Sequence, residues 1–410
     1  MNCIHCLKDE KLLLKIALGI SAAWIVAQIA LIVYFWGHPQ ISDMGAYITM
    51  AWRCFKNEQW YPMVKDVYSA FIWAPGYINY LILQLHVFGT LNFNAVLNLF
   101  LNIAILLEVY YLGKKFFSKR TGLISVIIFC LFYSNLFIVL GANTENPFLF
   151  LCLSALCLVF SGKWKYAIGA ALLFAIANWI RPLAIIFLFA SAVYFFITKA
   201  KFYNYIALII PYILVLFIIG AITEKKIGYF VYQSTTSGYN LMMTSHDEAN
   251  GYYQYVFDEG KVGFIENKKT VTFVEKDSIW KDRSFKWIKE RPLRYMGLFF
   301  KKIPILYVNN NWGDVSHRRS EAELVNGKSK FSKVAYSLSV PYYLTILLFF
   351  YSLWINRKEI FTVKSVFLVI LITGTIITCL FPAMPRYHYP FIFTVILYAA
   401  WGLDVKTSTP

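Results

Sequence analysis

Charge is scarce in this chain. Asp, Glu, Lys and Arg make up 15% of its 410 residues, while hydrophobic residues make up 59%. Soluble domains carry about 25% charged and roughly 45–50% apolar residues, so a water-soluble globule is excluded. Acids are the scarcer sign, 22 against 39 bases, for a net charge of +17. That excess does not imply nucleic acid, because Lys and Arg gather in short loops between apolar runs, as cytoplasmic loops of membrane proteins do. No small-x-small cleavage site follows the first apolar run, 12–36, before Gly37, and the run is too long for a typical signal-peptide core. It is expected to remain as a first span. A disulfide framework is excluded as well: Cys130, Cys152, Cys157 and Cys379 lie inside apolar runs, and only Cys54 falls in an expected outer loop. The Cys3-Ile-His-Cys6 cluster has no second pair, and a lone CxxC is weak evidence for a metal. With no His/Asp cluster elsewhere, neither a metal nor another cofactor is expected. No internal repeat or low-complexity tract is present.

What is abundant is apolar length. Several runs reach about 18–25 residues, enough for roughly 30 Å of hydrocarbon, and an all-α polytopic membrane protein is expected. Lys8 and Lys11 place the N-terminus in the cytoplasm, and four later basic clusters (Lys114–Arg120, Lys163 with Lys165, Lys199 with Lys201, Arg357-Lys358) should share that side. All of them do so only if 71–89 does not cross. That stretch carries Pro75, Gly76, Asn79, Gln84, His86 and Gly89, polar enough for an outer re-entrant or amphipathic helix. Ten spans are then predicted, near 12–36, 92–113, 121–140, 147–161, 165–180, 183–198, 203–221, 335–354, 362–381 and 390–403. The competing layout makes 71–89 a short eleventh span and inverts the topology of all later spans. The chain divides into an N-terminal transmembrane module, 1–221, with a first outer loop at 37–91; a polar outer region, 222–334; and C-terminal transmembrane helices, 335–410. Within the outer region, 278–308 mixes aromatic with basic residues and reads as one or two amphipathic helices, interrupted or bent at Pro292 and Pro304.

The few charges next to long apolar runs are the candidates for chemistry. Asp43, Glu145, Arg181 and Arg386-Tyr387-His388 each sit at the end of a run, and the predicted topology puts all of them on the outer face. Asp43 would have partial access to water at a lowered dielectric, which suits a tuned general base; a helix N-cap at Ser42 or Asp43 is the plainer alternative. Glu145 precedes Pro147 in a tight turn and equally suits a helix N-terminus. Arg181 and Arg386 offer the paired donors that clamp phosphate, and His388 would add a third donor. Tyr387 suits stacking on a sugar or holding its hydroxyls; interfacial anchoring is the competing role for Arg and Tyr. The chemistry that fits is transfer from a lipid-linked sugar phosphate. Phosphate leaves without an acid, cationic donors stabilise the charge that develops on it, and one carboxylate base activates an acceptor hydroxyl, through an oxocarbenium-like state.

These marks occur in an order that resembles the GT-C glycosyltransferases, in the branch of the protein O-mannosyltransferases and the lipid A aminoarabinose transferase. They are Asp43 with Tyr47, Trp73-Ala74-Pro75-Gly76-Tyr77 leading to Phe88-Gly89, Lys114-Lys115-Phe116-Phe117, Glu145, Arg181-Pro182, Trp287–Pro292 and Arg386-Tyr387-His388-Tyr389-Pro390. The resemblance implies a GT-C-like bundle with juxtamembrane helices in the first loop, Asp43 as catalytic base, polyprenyl or dolichyl phosphate sugars as donors, and inversion at the anomeric carbon. This chain departs from the pattern at Met44, which follows Asp43 where the O-mannosyltransferases have an acid. It also has Trp73 and Ala74 where the aminoarabinose branch has a Lys. No β-trefoil-type domain stands out in the outer region, which favours a bacterial-type enzyme using undecaprenyl phosphate sugar.

The expected function is therefore transfer of a hexose or pentose from a polyprenyl-phosphate donor to an acceptor hydroxyl on the periplasmic face of the plasma membrane. Asp43 is the base, Arg181, Arg386 and His388 are phosphate ligands, and Glu145, Tyr387 and Tyr47 position sugar or acceptor. The partners are membrane lipids, the lipid-linked donor and a glycan, lipid or protein acceptor, with no nucleic acid. A transporter or lipid-linked sugar flippase is the alternative. Transporters place ionisable groups near the midplane of broken helices, whereas these charges sit at run ends.

Overall fold

The computed structural model describes residues 9–266, 269–308 and 339–408, all helix, turn and loop with no strand among the described residues. The Cys3/Cys6 pair, residues 309–334 of the outer region and the first residues of the run expected at 335–354 lie outside them.

Helix α1, Glu10–Tyr34, opens on Asp9, whose carboxylate accepts from the backbone amides of Lys11 and Leu12. It delivers the chain to α2, Ser42–Lys56, and α3, Pro75–Phe88, two helices of the first loop that pack on each other. Pro75 occupies the first turn of α3, and Gly89 ends the helix at φ +68°. Gly76 is required where it stands: a Cβ there would lie 2.7–2.9 Å from backbone atoms of Trp179 and Ile180. This close approach seats α3 against the end of the later helix that leads into Arg181.

Helix α4, Asn94–Phe116, runs beside α5, Lys119–Leu131. The two meet at Gly113 and Gly122, where a Cβ on Gly113 would come within 2.8 Å of the Gly122 Cα; small residues let the backbones touch. The apolar run expected as one span at 121–140 is not a continuous helix. After α5 the chain turns by 69° into α6, Tyr133–Phe137, and a 3₁₀ turn, Ile138–Leu140. Backbone freed by such a break needs partners where water is absent, and α4 supplies them. Asn94, Asn98 and Asn102 recur every fourth residue and so share one helix face. The Asn98 amide donates to the Gly141 and Val139 carbonyls at 2.9 and 3.2 Å, and the Asn102 amide donates to the Asn135 carbonyl at 2.7 Å and to Gln28 at 2.8 Å. Asn146 donates back to the Asn98 carbonyl at 2.9 Å. The irregular strap before Glu145 is thus tied to α4.

Next come α7, Glu145–Val159; α8, Trp164–Ile180; α9, Ala184–Ile197; and α10, Phe202–Ile227. The polar stretch expected to form an outer region holds α11, Ser237–Met242; α12, Phe273–Glu290; and α13, Pro292–Tyr307. Thr272 and Glu275 form a reciprocal capping box at the start of α12, Pro292 begins a new helix rather than bending the old one, and Pro304 lies inside α13. Met242, Met243, Val256, Phe257, Ile265 and Trp280 make a small core of their own here. The chain closes with α14, Val340–Ile355; α15, Ser365–Cys379; a 3₁₀ turn, Pro385–Phe391; and α16, Ile392–Ser408.

The expectation of ten spans meets a length limit. Three described helices (α1, α4, α10) are long and apolar enough to cross a membrane, or four if the bent α5–α6 pair is one span. Helices α7, α8, α9, α14 and α15 are apolar but hold 14–17 residues, which at 1.5 Å per residue reach only about 21–26 Å. The result is a helical membrane protein.

Candidate functional site

Four chain segments converge on one cavity of about 460 Å³. The first turn of α2 brings Asp43. The strap and the start of α7 bring Thr144 and Glu145. The end of α8 brings Arg181, and the 3₁₀ turn after α15 brings Arg386 and Tyr387. Each segment is a helix end, where unpaired backbone groups and a change of direction leave side chains free to project across a gap.

The charges pair across these segments. Arg386 donates from a terminal guanidinium nitrogen to the Asp43 carboxylate, and Arg181 meets Glu145 at 2.5 Å. Arg181 also donates to the Thr144 hydroxyl at 3.1 Å, and that hydroxyl donates to Glu145 at 3.2 Å. Tyr387 joins the two pairs: the Arg181 and Arg386 guanidinium carbons lie 5.5 and 5.3 Å from its ring centre, within cation–π range. The site is therefore charge-balanced, two carboxylates against two guanidinia around an aromatic ring. The Asp43 side chain keeps 26% of its exposure and Arg386 23%, against 5% for Glu145, so the Asp43–Arg386 pair is the more open to an incoming group. The Arg386 Nε has no partner although it is buried, a donor in reserve.

Asp43 does not cap its own helix. No side chain caps the start of α2, and the carboxylate turns to Arg386 instead. Tyr47, one turn on, lies with its ring 4.7 Å from Trp73 and 5.4 Å from Tyr77. Burial pushes its phenol well above its ordinary pKa, and the charges of Asp43 and Glu145 add to that. It is a neutral hydroxyl at the cavity wall.

His388 is the candidate that the fold does not bring to the cavity. Its ring is fully buried between Tyr307 and Tyr342, 5.3 and 5.6 Å away, and its Nδ1–H donates to the Leu306 carbonyl at 2.7 Å. Burial pushes its pKa down to about 4. A neutral ring in this position ties the last outer helix to the 3₁₀ turn that carries Arg386; it is not a cation reaching for phosphate. The other six candidates, Asp43, Tyr47, Glu145, Arg181, Arg386 and Tyr387, all line the cavity. The sequence reading missed Asn143, Thr144 and Gln233. Gln233 is held at the cavity by Asn178 at 2.8 Å. It also missed Tyr239 and Tyr253, which line the same cavity. No periodicity or charge at an apolar boundary marks these residues. Among the described residues no group of three or more His, Cys, Asp or Glu is placed to hold a metal ion.

No protein-family model matches the chain, and comparison with curated proteins finds no match. Among solved structures, the oligosaccharyltransferase of Archaeoglobus fulgidus in its apo form is 12% identical with a TM-score of 0.49, covering 95% of this chain and 50% of that one. The archaeal oligosaccharyltransferase from the same organism in complex with an inhibitory peptide and a dolichol-phosphate is 13% identical with a TM-score of 0.48, over 95% of this chain and 50% of that one. The chain spans about half the length of these structures.

Proposed function

We propose that the chain is a membrane glycosyltransferase of the GT-C type, moving one sugar with inversion from a polyprenyl-phosphate donor to an acceptor hydroxyl on the outer face of the plasma membrane. One observation carries the reading. Two carboxylate–guanidinium pairs from four chain segments meet around Tyr387 at a cavity beside apolar helices. Structural ion pairs would serve equally well as anchors on the surface; here they face a space of ligand size.

The division of labour follows from the pairs. Arg386 occupies a carboxylate oxygen of Asp43 and so competes with any hydroxyl seeking the same oxygen. A donor phosphate is a better partner for a guanidinium fork than a single carboxylate oxygen. Binding of the donor draws Arg386 toward the phosphate, with the Nε already unpartnered, and releases Asp43 toward the acceptor. The acceptor oxygen then attacks the anomeric carbon, and its proton passes to Asp43. The bond between that carbon and the phosphate oxygen breaks, and its electron pair leaves with the phosphate. Arg386 and Arg181 stabilise the charge gathered there. Glu145, held by Arg181 and Thr144, stays in place to receive sugar hydroxyls, and the Tyr387 ring holds both guanidinia beside the leaving phosphate.

The test uses the full chain in lipid nanodiscs and radiolabelled polyprenyl-phosphate hexoses and pentoses, with a cell-envelope extract as acceptor. Wild type is expected to consume one donor and Asp43→Asn to consume none. Equal consumption by both proteins would remove Asp43 as base. No consumption of any donor would remove the transferase reading and favour transport.

A further inference from the structure

A second cavity of about 360 Å³ lies between residues 68–71 of the first loop and α12, and it shares Phe71 and Tyr239 with the first. Its floor is Phe257 and Trp280, both nearly inaccessible, and its rim is Tyr255 and Tyr68, each about half exposed at 52% and 55%. The rings form a continuous line from the reaction cavity outward. Tyr47 meets Trp73 at 4.7 Å, Trp73 meets Phe71 at 5.7 Å, Phe71 meets Tyr239 at 4.7 Å, and Tyr239 stacks on Phe257 at 4.2 Å. Phe257, Ile265 and Trp280 belong to the small core described above, and the half-exposed Tyr255 and Tyr68 carry its aromatic surface out to the open space.

We infer that this second cavity is a saccharide subsite, contiguous with the reaction cavity, that holds the sugar unit of a glycan acceptor next to the one being glycosylated. The inference rests on the transferase reading and deepens it by choosing a glycan over a peptide or lipid acceptor. Three features carry it. The C–H face of a pyranose carries slight positive charge and packs on the negative face of an aromatic ring, so a line of rings suits successive sugars. Polar groups are interleaved with the rings: the Tyr255 hydroxyl, the exposed Lys269, and Lys276, whose Nζ donates to the Tyr68 and Ser69 carbonyls at 3.0 and 3.3 Å and so shapes the rim. Pockets that orient small ligands combine mostly apolar walls with a few such groups. Among the described residues the lining includes two lysines and no carboxylate, which favours acidic sugars. A lipid chain would offer the Tyr255 hydroxyl no hydrogen-bond partner.

The test reads retention of fluorescently tagged full-length protein, in detergent, on an array of immobilised neutral and acidic oligosaccharides, with immobilised peptides as the contrasting surface. Wild type and Asp43→Asn should be retained alike on one set of oligosaccharides. Tyr255→Ala should lose about tenfold in retention, and Tyr255→Phe, which keeps the ring and loses only the hydroxyl, should fall between it and wild type. Tyr255 is exposed enough that its truncation leaves the folded state intact, and a matching elution profile checks this. No retention of wild type on saccharides, equal retention of Tyr255→Ala, or retention on peptides instead would each overturn the subsite. Donor consumption measured on the same preparation separates the two failures. Consumption without saccharide retention discards the subsite alone; retention without consumption of any donor keeps the subsite and discards the transferase.

Discussion

Titration of His388 distinguishes a buried structural ring from a cationic ligand, and the size of the effect follows from its surroundings. The ring is enclosed by Tyr307 and Tyr342 and donates to Leu306, and its pKa falls from 6.5 to about 4 through burial. A folded-state pKa below the unfolded value means the unfolded chain binds more protons between those two pH values. Stability therefore rises with pH across the window and is lost on acidification. For a single group moving between pKa 6.5 and about 4, the loss relative to pH 7.5 is about 2 kcal/mol at pH 5 and about 3 kcal/mol at pH 4. The assay is the thermal unfolding midpoint of detergent-solubilised protein from pH 7.5 to pH 4, compared with His388→Asn, whose amide can still donate to Leu306. Wild type should lose its midpoint more steeply than the variant, with the gap opening below about pH 6.5. Parallel curves would show that the ring is not held neutral. A midpoint that rises on acidification in wild type alone would mean that His388 gains a charged partner, as a phosphate-ligand role requires.

Other substitutions test the frame of the site. Arg181→Ala leaves the nearly inaccessible Glu145 without its cation and should cost about 3–5 kcal/mol; adding Glu145→Gln should restore most of the midpoint, whereas additive losses would mean the pair is not coupled. Gly76→Ala drives a Cβ into the Trp179–Ile180 backbone and should cost about 1–3 kcal/mol, with donor consumption falling further than the midpoint alone would explain because Arg181 comes next in the chain; an unshifted midpoint refutes the close approach. Asn98→Ala removes the donor to Val139 and one donor to Gly141 and should cost about 1–3 kcal/mol, while Asn98→Asp, which cannot donate at neutral pH, should be no better. An unchanged midpoint in either would show that the strap does not depend on α4.

Much of the site is legible in the sequence because charge is rare beside apolar runs. Asp43, Glu145, Arg181 and Arg386 are conspicuous for that reason, and all four reach one cavity. Their pairing is not legible. Asp43 and Arg386 are 343 residues apart, and only the packing of several helices decides which guanidinium meets which carboxylate. His388 resembles its neighbour Arg386 in sequence because both stand at the same boundary, yet in a 3₁₀ turn two residues point different ways, and position 388 faces the tyrosines of other helices. The break after Leu131 carries no proline or glycine at Phe132 to announce it. The signal lies earlier in the chain, in asparagines on α4 that a helix-by-helix reading treats as tolerated polar residues. Span boundaries shift by a few residues for a related reason: composition marks where a chain is apolar, and caps decide where a helix ends.

The asparagine ties also bear on how the protein is assembled during biosynthesis. Helix α4 enters the membrane before the strap that it will hold. Buried in the bundle, the carbonyls of Val139 and Gly141 have no solvent to fall back on, so their shape is settled only when they find Asn98 and Asn94 already waiting. The turn that carries Glu145 is thus templated by a neighbour made earlier, and the two cations, Arg181 and then Arg386, follow it in the chain. Until the turn that carries Arg386 is in place, Asp43 stands without its counter-charge.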